Sequence, residues 1–271
     1  MGRFLAIGLL VLTLCAQTAA QAQEESNLIP LISRQDSARW DAVGRLDISG
    51  KGFCTAALIR DNLILTAAHC LFDTDGTRIS PDRFVFRAGF RGGRAEALRD
   101  IRRTIPHPDY DFSDGTTNPK AVAVDIGLLE LARPIRSTRI RPYEETAFPI
   151  TGDSVRVISY GRGREDAPSL QDVCAVLGRQ TGVVVMTCEV AYGSSGSPVF
   201  MEVRGQQRIV SVVSAMAQVD GEQVSLGTSL KLPLIRLLTF YSALGPAGPD
   251  GVRRLTPGGT QNDTGAKFVS P

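Results

Sequence analysis

The sequence predicts an all-β protein, a sandwich or a barrel, with one helix near its C-terminus. From about residue 40 the chain consists of short apolar runs separated by Gly, Asp, Asn and Pro, which is typical of short strands joined by turns. Convincing helical spacing of apolar residues occurs only late, around 234–244, where Leu234, Leu237, Leu238 and Tyr241 share one face. Many strands and a single terminal helix therefore favour the all-β class.

The strand candidates follow one another at short intervals. Residues 53–59 and 63–66 flank Arg60-Asp61-Asn62, which has the composition of a β-turn, so these two runs predict a hairpin. Pro198 opens a further β-type run after a Gly/Ser-rich bend. The other candidates are 84–86, 121–124, 155–159, 183–187, 209–214 and 224–230.

The first 22 residues predict a cleaved secretory signal peptide. Arg3 provides a basic start, and residues 4–14 form an apolar core that is too short to span a bilayer as a helix. Ala20-Gln21-Ala22 has the small-x-small form of a signal-peptidase site. The bulky Leu14 before Cys15 argues against a lipid anchor. We therefore expect a secreted or periplasmic protein without a membrane anchor.

The rest of the chain divides by composition. Residues 23–39 are a polar lead-in or a pro-segment, and residues 245–271, rich in Gly, Pro and polar residues, predict a disordered tail. A Pro/Arg-rich crossing at 133–142 separates two sets of strands. We therefore expect one strand unit at 40–136 and a second, with the terminal helix, at 137–244.

Charge and residue counts exclude some functions. The net charge is only +2 and no Lys/Arg run follows a phosphate backbone, so nucleic acid is not expected as a partner. The chain has two histidines, His69 and His107, which makes a His-rich zinc site unexpected. An even number of cysteines in an exported chain suggests two disulfides, and Cys70 is placed to reach back to Cys54. The four cysteines beyond the signal peptide are Cys54, Cys70, Cys174 and Cys188.

Three segments carry residues suited to nucleophilic catalysis. Thr66-Ala67-Ala68-His69-Cys70 presents an imidazole among small residues, and imidazoles exchange protons near neutral pH. Val124-Asp125-Ile126-Gly127 sets a carboxylate in an apolar strand, where an unpartnered charge is costly. Gly193-Ser194-Ser195-Gly196-Ser197-Pro198 presents a hydroxyl in a glycine-rich bend, whose N–H groups can converge on one point. Each segment has a plainer interpretation: a packed or solvent-facing histidine, an aspartate that caps a helix or forms a turn, and a simple glycine-rich turn.

Taken together and in this order, the three segments resemble the chymotrypsin-like (trypsin-fold) serine proteases. Thr-Ala-Ala-His-Cys, Asp-Ile-Gly-Leu-Leu-Glu-Leu and Gly-Ser-Ser-Gly-Ser-Pro-Val match that family's His, Asp and Ser motifs, and the Gly-x-Ser-Gly-Ser-Pro ending is most similar to the bacterial branch that includes glutamyl endopeptidases. The resemblance runs from about residue 40 to residue 244. It implies two antiparallel six-stranded β-barrels with a C-terminal helix and the site between the barrels.

The resemblance also implies the chemistry. Ser195 would attack a peptide carbonyl, His69 would take its proton, and Asp125 would orient the imidazole. Backbone N–H groups of Gly193 and Ser195 would form the oxyanion hole. No cofactor or metal is implied, His107 is a loop histidine, and Cys174 would pair with Cys188. A monomer that cleaves proteins or peptides is expected.

One departure from the family pattern concerns activation. In trypsin-like members an aspartate precedes the nucleophile and pairs with a newly cut N-terminal ammonium, whereas this chain has Ser194 there. We therefore expect the oxyanion loop to be preformed or ordered by other contacts. A protease-fold protein kept only as a binding module is the alternative function. An α/β-hydrolase esterase fits poorly, because His69 precedes Ser195 and Ser197 replaces the last glycine of that motif.

Substrate preference stays open at this level. Glu189 falls where trypsin-like members carry the carboxylate of the S1 pocket, which would favour Lys or Arg at P1, unless Glu189 is a solvated loop residue. Ser214 matches the substrate-pairing strand. Met216 replaces a glycine that keeps the pocket open, so it would narrow the cavity and favour small or apolar residues. An acidic preference is the third possibility.

Overall fold

The computed structural model describes residues 26–146 and 149–245. The predicted signal peptide and all but the first residue of the predicted tail lie outside these ranges. The described chain is mostly β, with two sheets, few helices and a C-terminal helix, which confirms the predicted fold class.

The elements are named here in chain order. The strands of the first sheet are β2 Val43–Ile48, β3 Gly52–Arg60, β4 Leu63–Thr66, β5 Phe84–Ala88, β6 Ala97–Pro106 and β7 Gly127–Leu131. Those of the second are β1 Ile29–Pro30, β8 Ser154–Gly161, β9 Arg164–Gln180, β10 Val183–Met186, β11 Pro198–Val203, β12 Gln206–Val219 and β13 Glu222–Ser229. The α-helices are α1 Arg34–Ser37, α2 Pro119–Val122 and α3 Lys231–Ala243.

The first sheet is a closed antiparallel barrel in the order β2-β3-β4-β7-β6-β5. The predicted hairpin is its β3–β4 pair, in which Leu58 faces Ile64. Alternate residues of the strands point inwards, since successive side chains of a strand point to opposite faces. The centre of the barrel is filled by Leu46, Leu58, Ile64, Phe84, Phe86 and Leu129.

The second sheet curls back on itself. Its order is β1-β9-β10-β13-β12-β11-β8, and β8 also pairs with β9, so six strands form a closed ring and β1 is added outside it. The 17-residue β9 makes this possible, because its different parts pair with β8 and with β10. The interior contains mostly valines, including Val157, Val184 and Val213.

A shared apolar layer joins the two sheets and includes the terminal helix. The Trp40 ring packs against the Phe200 ring at a tilt of 50°, with ring centroids 5.2 Å apart. Leu234 and Leu237 of α3 are buried in the same cluster, and Leu238 and Tyr241 pack against its edge, as the helical spacing predicted. No described helix is long and apolar enough to cross a membrane.

Two predictions for 121–131 are wrong. Residues 121–124, expected to be a strand, contain the end of α2, because the Asn118 side chain caps the helix by accepting from Lys120 N–H and Pro119 suits its first turn. Asp125 therefore lies between α2 and β7 and not within a strand.

Strands β2, β6 and β9 were missed, since their charged or polar residues interrupt the apolar runs.

Candidate active site

His69 lies at the junction of β4 and a short 3-10 turn, Ala68–Leu71. The disulfide between Cys54 and Cys70 ties this turn to β3, with an S–S distance of 2.04 Å. The imidazole is 14 % exposed, so most of the ring is packed while part of it faces the cavity. The fold thus fixes the ring and leaves it accessible.

Asp125 contacts His69 twice. Its Oδ1 accepts the backbone N–H of His69 at 2.8 Å, and its Oδ2 lies 2.7 Å from Nδ1 of the ring. Ser214 Oγ donates to the same Oδ2 at 2.5 Å. Asp125 is 1 % exposed, and three polar partners meet the requirement that a buried carboxylate be hydrogen-bonded. The two contacts between Asp125 and His69 fix both the position and the orientation of the imidazole.

Ser195 lies in a bend whose shape depends on two glycines. Gly193 and Gly196 have φ of 96° and 81°, in the region that favours glycine. A Cβ on Gly193 would approach the Phe53 ring to 2.2 Å, and one on Gly196 would approach Thr66 Oγ1 to 2.0 Å. The glycine spacing in the sequence therefore has a steric cause.

Strand β3 holds this bend from the first barrel. Thr55 N–H donates to Ser195 O at 2.8 Å, and Thr55 Oγ1 donates to Gly193 O at 2.9 Å. Among the hydrogen bonds of residues 26–146 and 149–245, none is donated by the backbone N–H of Gly193 or Ser195. Both amides are therefore available to an incoming oxygen.

A cavity of about 590 Å³ lies at this junction, and His69 and Ser195 both line it. Segment 190–193 and segment 213–216 contribute mainly apolar walls, including Val190, Val213 and Met216. The Arg162 guanidinium lies over the Tyr192 ring, 4.5 Å from the ring centroid, and both residues line the cavity. The charged side chains on the lining are Lys51, Arg162 and Glu165, which belong to other segments.

Glu189 has a different contact from the one that the resemblance implied. It is not among the residues that line the cavity. Its carboxylate accepts Ser26 Oγ–H at 2.8 Å through Oε2 and the backbone N–H of Asn27 at 2.8 Å through Oε1. Its own N–H donates to Gln171 Oε1 at 2.6 Å. Glu189 thus anchors the N-terminal segment to the strand region before the nucleophile.

Met216 and Ser214 belong to β12 and line the cavity. Met216 is partly exposed at 36 %, and Gln223 Nε2 lies 3.8 Å from its sulfur and 3.4 Å from Val190 O. Gln223 therefore bridges the two walls. Ser214 combines its place on the wall with the contact to Asp125, which the sequence alone did not indicate.

The second predicted disulfide is also present. Cys174 and Cys188 are joined, and they connect β9 to the stretch that leads into the Ser195 bend. One group of described residues, Cys54, His69 and Cys70, has metal-ligand atoms close together. Both of its sulfurs are in the first disulfide and offer no thiolate, so this group does not suit a metal ion.

Two β-barrels with a His–Asp pair on one and a serine bend on the other define the chymotrypsin-like class of fold. The sequence profile described as Trypsin matches residues 32–228, and the chain belongs to this family of serine proteases.

Relatives are distant and partial. The chain is 30% identical to granzyme C of Mus musculus over 165 residues, which cover 58% of this chain and 60% of that protein. It is 27% identical to serine protease 56 of Homo sapiens over 170 residues, 59% of this chain and 25% of that protein. These matches span less than two thirds of the relatives' length.

Among solved structures, the chain is similar to one described as a Glu endopeptidase in complex with MPD. The TM-score is 0.67 and the identity 18%, with 81% of this chain and 98% of the other covered. At this identity the likeness shows the fold.

Proposed function

We propose that this protein is a secreted serine endopeptidase that cleaves peptide bonds through a Ser195–His69–Asp125 triad and an acyl-enzyme. The observation that carries the proposal is the pair of hydrogen bonds that fixes His69 on a buried Asp125, in a cavity that Ser195 also lines. Family membership supports protein or peptide substrates.

The proposed reaction begins with acylation of Ser195. Ser195 Oγ attacks the substrate carbonyl carbon as His69 Nε2 takes the hydroxyl proton, and Asp125 stabilises the imidazolium that forms. The C–N bond then breaks, and the imidazolium gives its proton to the leaving amine. Water, deprotonated by the same imidazole, attacks the ester, and the proton returns to Ser195 Oγ as the acid product leaves.

The developing oxyanion is bound by the N–H groups of Gly193 and Ser195. The positive φ of Gly193 and the Thr55 contacts support this role, because they fix the peptide groups before substrate arrives. Preformed donors need no reorganisation during the reaction. Each such donor typically contributes ~3 kcal/mol of transition-state stabilisation.

For the P1 residue we propose a small or apolar side chain. Segments 190–195 and 213–216 contain no Lys, Arg, His, Asp or Glu, and the Glu189 carboxylate is bonded to Ser26 and Asn27. Met216 narrows the wall where a glycine would leave space. Profiling with a peptide library tests this: cleavage after Ala, Val or Leu is expected, and dominant cleavage after Lys, Arg or Glu would contradict it.

The proposed triad works without a metal or organic cofactor. We also propose that the protein is a monomer without a membrane anchor and that it is secreted or periplasmic. The two disulfides support an extracellular or periplasmic compartment, since such bonds persist in oxidising environments.

The test is labelling with a fluorophosphonate probe, mapped by mass spectrometry of the peptides. A single adduct on Ser195 is expected, and it should disappear in Ser195→Ala and fall by at least a thousandfold in rate in His69→Ala. Ser113→Ala, an exposed serine in a surface turn, is the matched control and should label normally. A folded protein without an adduct would instead support the binding-module alternative.

A further inference from the structure

A partly buried guanidinium lies directly beneath the bend that carries the proposed nucleophile. Arg164 Nη2 donates to Ser194 Oγ at 3.0 Å and to Ser159 Oγ at 2.8 Å, and its Nη1 donates to Ser159 O. Gly161 makes room for it, because a Cβ there would lie 2.7 Å from Nη2. The end of β8 and the first residue of β9 thus hold a cation against the residue before Ser195.

Ser194 receives this contact at the centre of the bend. It is fully buried, its Oγ donates to Tyr160 O at 3.1 Å, and it accepts the N–H of Ala191 at 3.2 Å. Ser194 N–H in turn donates to Ala191 O at 2.9 Å. The bend 191–194 is therefore closed on itself around one hydroxyl, and Arg164 is its only charged partner among the described contacts of that hydroxyl.

Two carboxylates act on the charge of Arg164. Burial lowers the pKa of Arg164, and the Glu189 and Glu165 carboxylates act in the opposite direction. Glu189 also binds Ser26 and Asn27. The contact that reaches Ser194 is the hydrogen bond from the Arg164 guanidinium.

We propose that Arg164 is a positioning residue, whose guanidinium fixes Ser194 and thereby holds the N–H groups of Gly193 and Ser195 in the geometry that binds the oxyanion. The inference rests on the proposed function. It assigns to an internal arginine and a neutral hydroxyl the ordering that a cleavage-generated ammonium and an aspartate provide in trypsin-like members. The loop is then ordered without proteolytic activation.

The experiment compares Arg164→Met, Arg164→Lys, Ser194→Ala and the Arg164→Met/Ser194→Ala double variant. For each we would measure the rate of fluorophosphonate labelling at Ser195, kcat and KM on one peptide, and the Tm. Arg164→Met should lower kcat and the labelling rate on the order of tenfold to a hundredfold with KM little changed. This is less than the roughly hundredfold to thousandfold cost of removing an oxyanion-hole donor, because the donors remain but are held less firmly. Arg164→Lys should recover part of the loss.

The double variant separates positioning from general damage. Because both single changes remove the Arg164–Ser194 contact, the double variant should be no slower than the slower of the two single variants. Arg103→Met is the matched control: this half-buried arginine pairs with Glu130 at 2.7 Å in the first barrel, so its loss should lower the Tm and leave the labelling rate intact.

Contrary outcomes are distinct. Normal kcat and labelling in Arg164→Met, or a rise in KM alone, would overturn the role of Arg164. The proposed function would still stand in that case if Ser195 of the unaltered chain is labelled. Absence of that labelling would overturn both. If Arg164→Met does not fold, Ser194→Ala decides: unchanged kcat in this variant would overturn the proposal.

Discussion

At the scale of single residues, Ser214 links the cavity wall to Asp125 of the proposed triad. Its hydroxyl donates to Asp125 Oδ2, and a hydrogen bond to a charged group contributes about 1.5–3 kcal/mol. We expect Ser214→Ala to lower kcat/KM about tenfold or more, because the carboxylate loses one of its partners. Kinetics on a peptide substrate measure this.

The control for that change is Ser211→Ala in the same strand. Ser211 is also fully buried and donates to Thr228 O at 2.8 Å. The substitution Ser211→Ala should therefore lower the free energy of unfolding by ~1 kcal/mol and leave kcat/KM unchanged. An equal loss of kcat/KM in both variants would mean that only packing of β12 matters.

His107 should make stability depend on pH. It is 2 % exposed, its Nδ1 accepts the N–H of Asp109, and burial lowers its pKa against the opposing effect of the Asp109 carboxylate. The unfolded chain therefore binds more protons than the native one just below pH ~6.5, the ordinary value for histidine. The contribution of neutral His107 to the free energy of unfolding is complete above that pH. It is lost on acidification, and the free energy of unfolding then falls by at most about 1.4 kcal/mol per pH unit.

The measurement is the urea midpoint between pH 7 and pH 5. His107→Asn keeps a hydrogen-bond acceptor without the titration, so its midpoint should fall less steeply with acid than that of the parent. Identical pH dependence in the two proteins would show that His107 contributes nothing to acid sensitivity.

At the scale of elements, the Cys174–Cys188 disulfide joins β9 to the stretch that leads into the Ser195 bend. It closes a loop with a sequence separation of 14, for which the chain-entropy account gives about 3 kcal/mol. The Cys174→Ala/Cys188→Ala variant should lose about that much free energy of unfolding in urea titration. An unchanged midpoint would contradict this bracing role.

Elements with strong local patterns were predictable, and those with weak patterns were not. The β3–β4 hairpin has two apolar runs around a turn, and α3 repeats Leu at helical spacing, so both followed from sequence. Strand β9 carries Arg, Glu, Asp and Gln because it lies partly outside the apolar interior. Its pairing with two neighbours supplies the order that its residue pattern does not show.

At the scale of the whole molecule, the N-terminal segment packs as part of the folded body. Leu31 is 3 % exposed in the apolar layer with Trp40 and Phe200, and its N–H donates to Pro168 O at 2.8 Å. Leu31→Ala should cost about 2–5 kcal/mol, a Tm decrease of ~4 °C or more. Ile32→Ala is the control, since Ile32 is 74 % exposed and should change little.

This packing bears on the pro-segment hypothesis for residues 23–39. Trimming through residue 39 would remove Leu31 and the contacts to Glu189, so we expect lower stability and no gain in labelling of Ser195. Increased labelling after trimming would support a pro-segment and contradict this expectation.

The residues alone indicated the all-β class, the candidate residues of the triad and the Cys54–Cys70 pairing, whereas the Cys174–Cys188 pairing was implied by the family resemblance. These depend on short motifs whose residue types and spacing are local, such as a histidine after a strand or a serine between glycines. Residue type is also what the chemistry requires. The resemblance of three ordered motifs then supplied the two-barrel architecture that composition left open.

The contacts between distant side chains became known from the folded structure. His69 and Asp125 are 56 residues apart, and closing the first barrel brings them within 2.7 Å. The partners of Glu189 and the Arg164–Ser194 contact had no local signal, because a polar side chain's partner depends on where distant strands cross. Residue type limits the chemistry a side chain can do, and sheet closure determines the partners with which it does it.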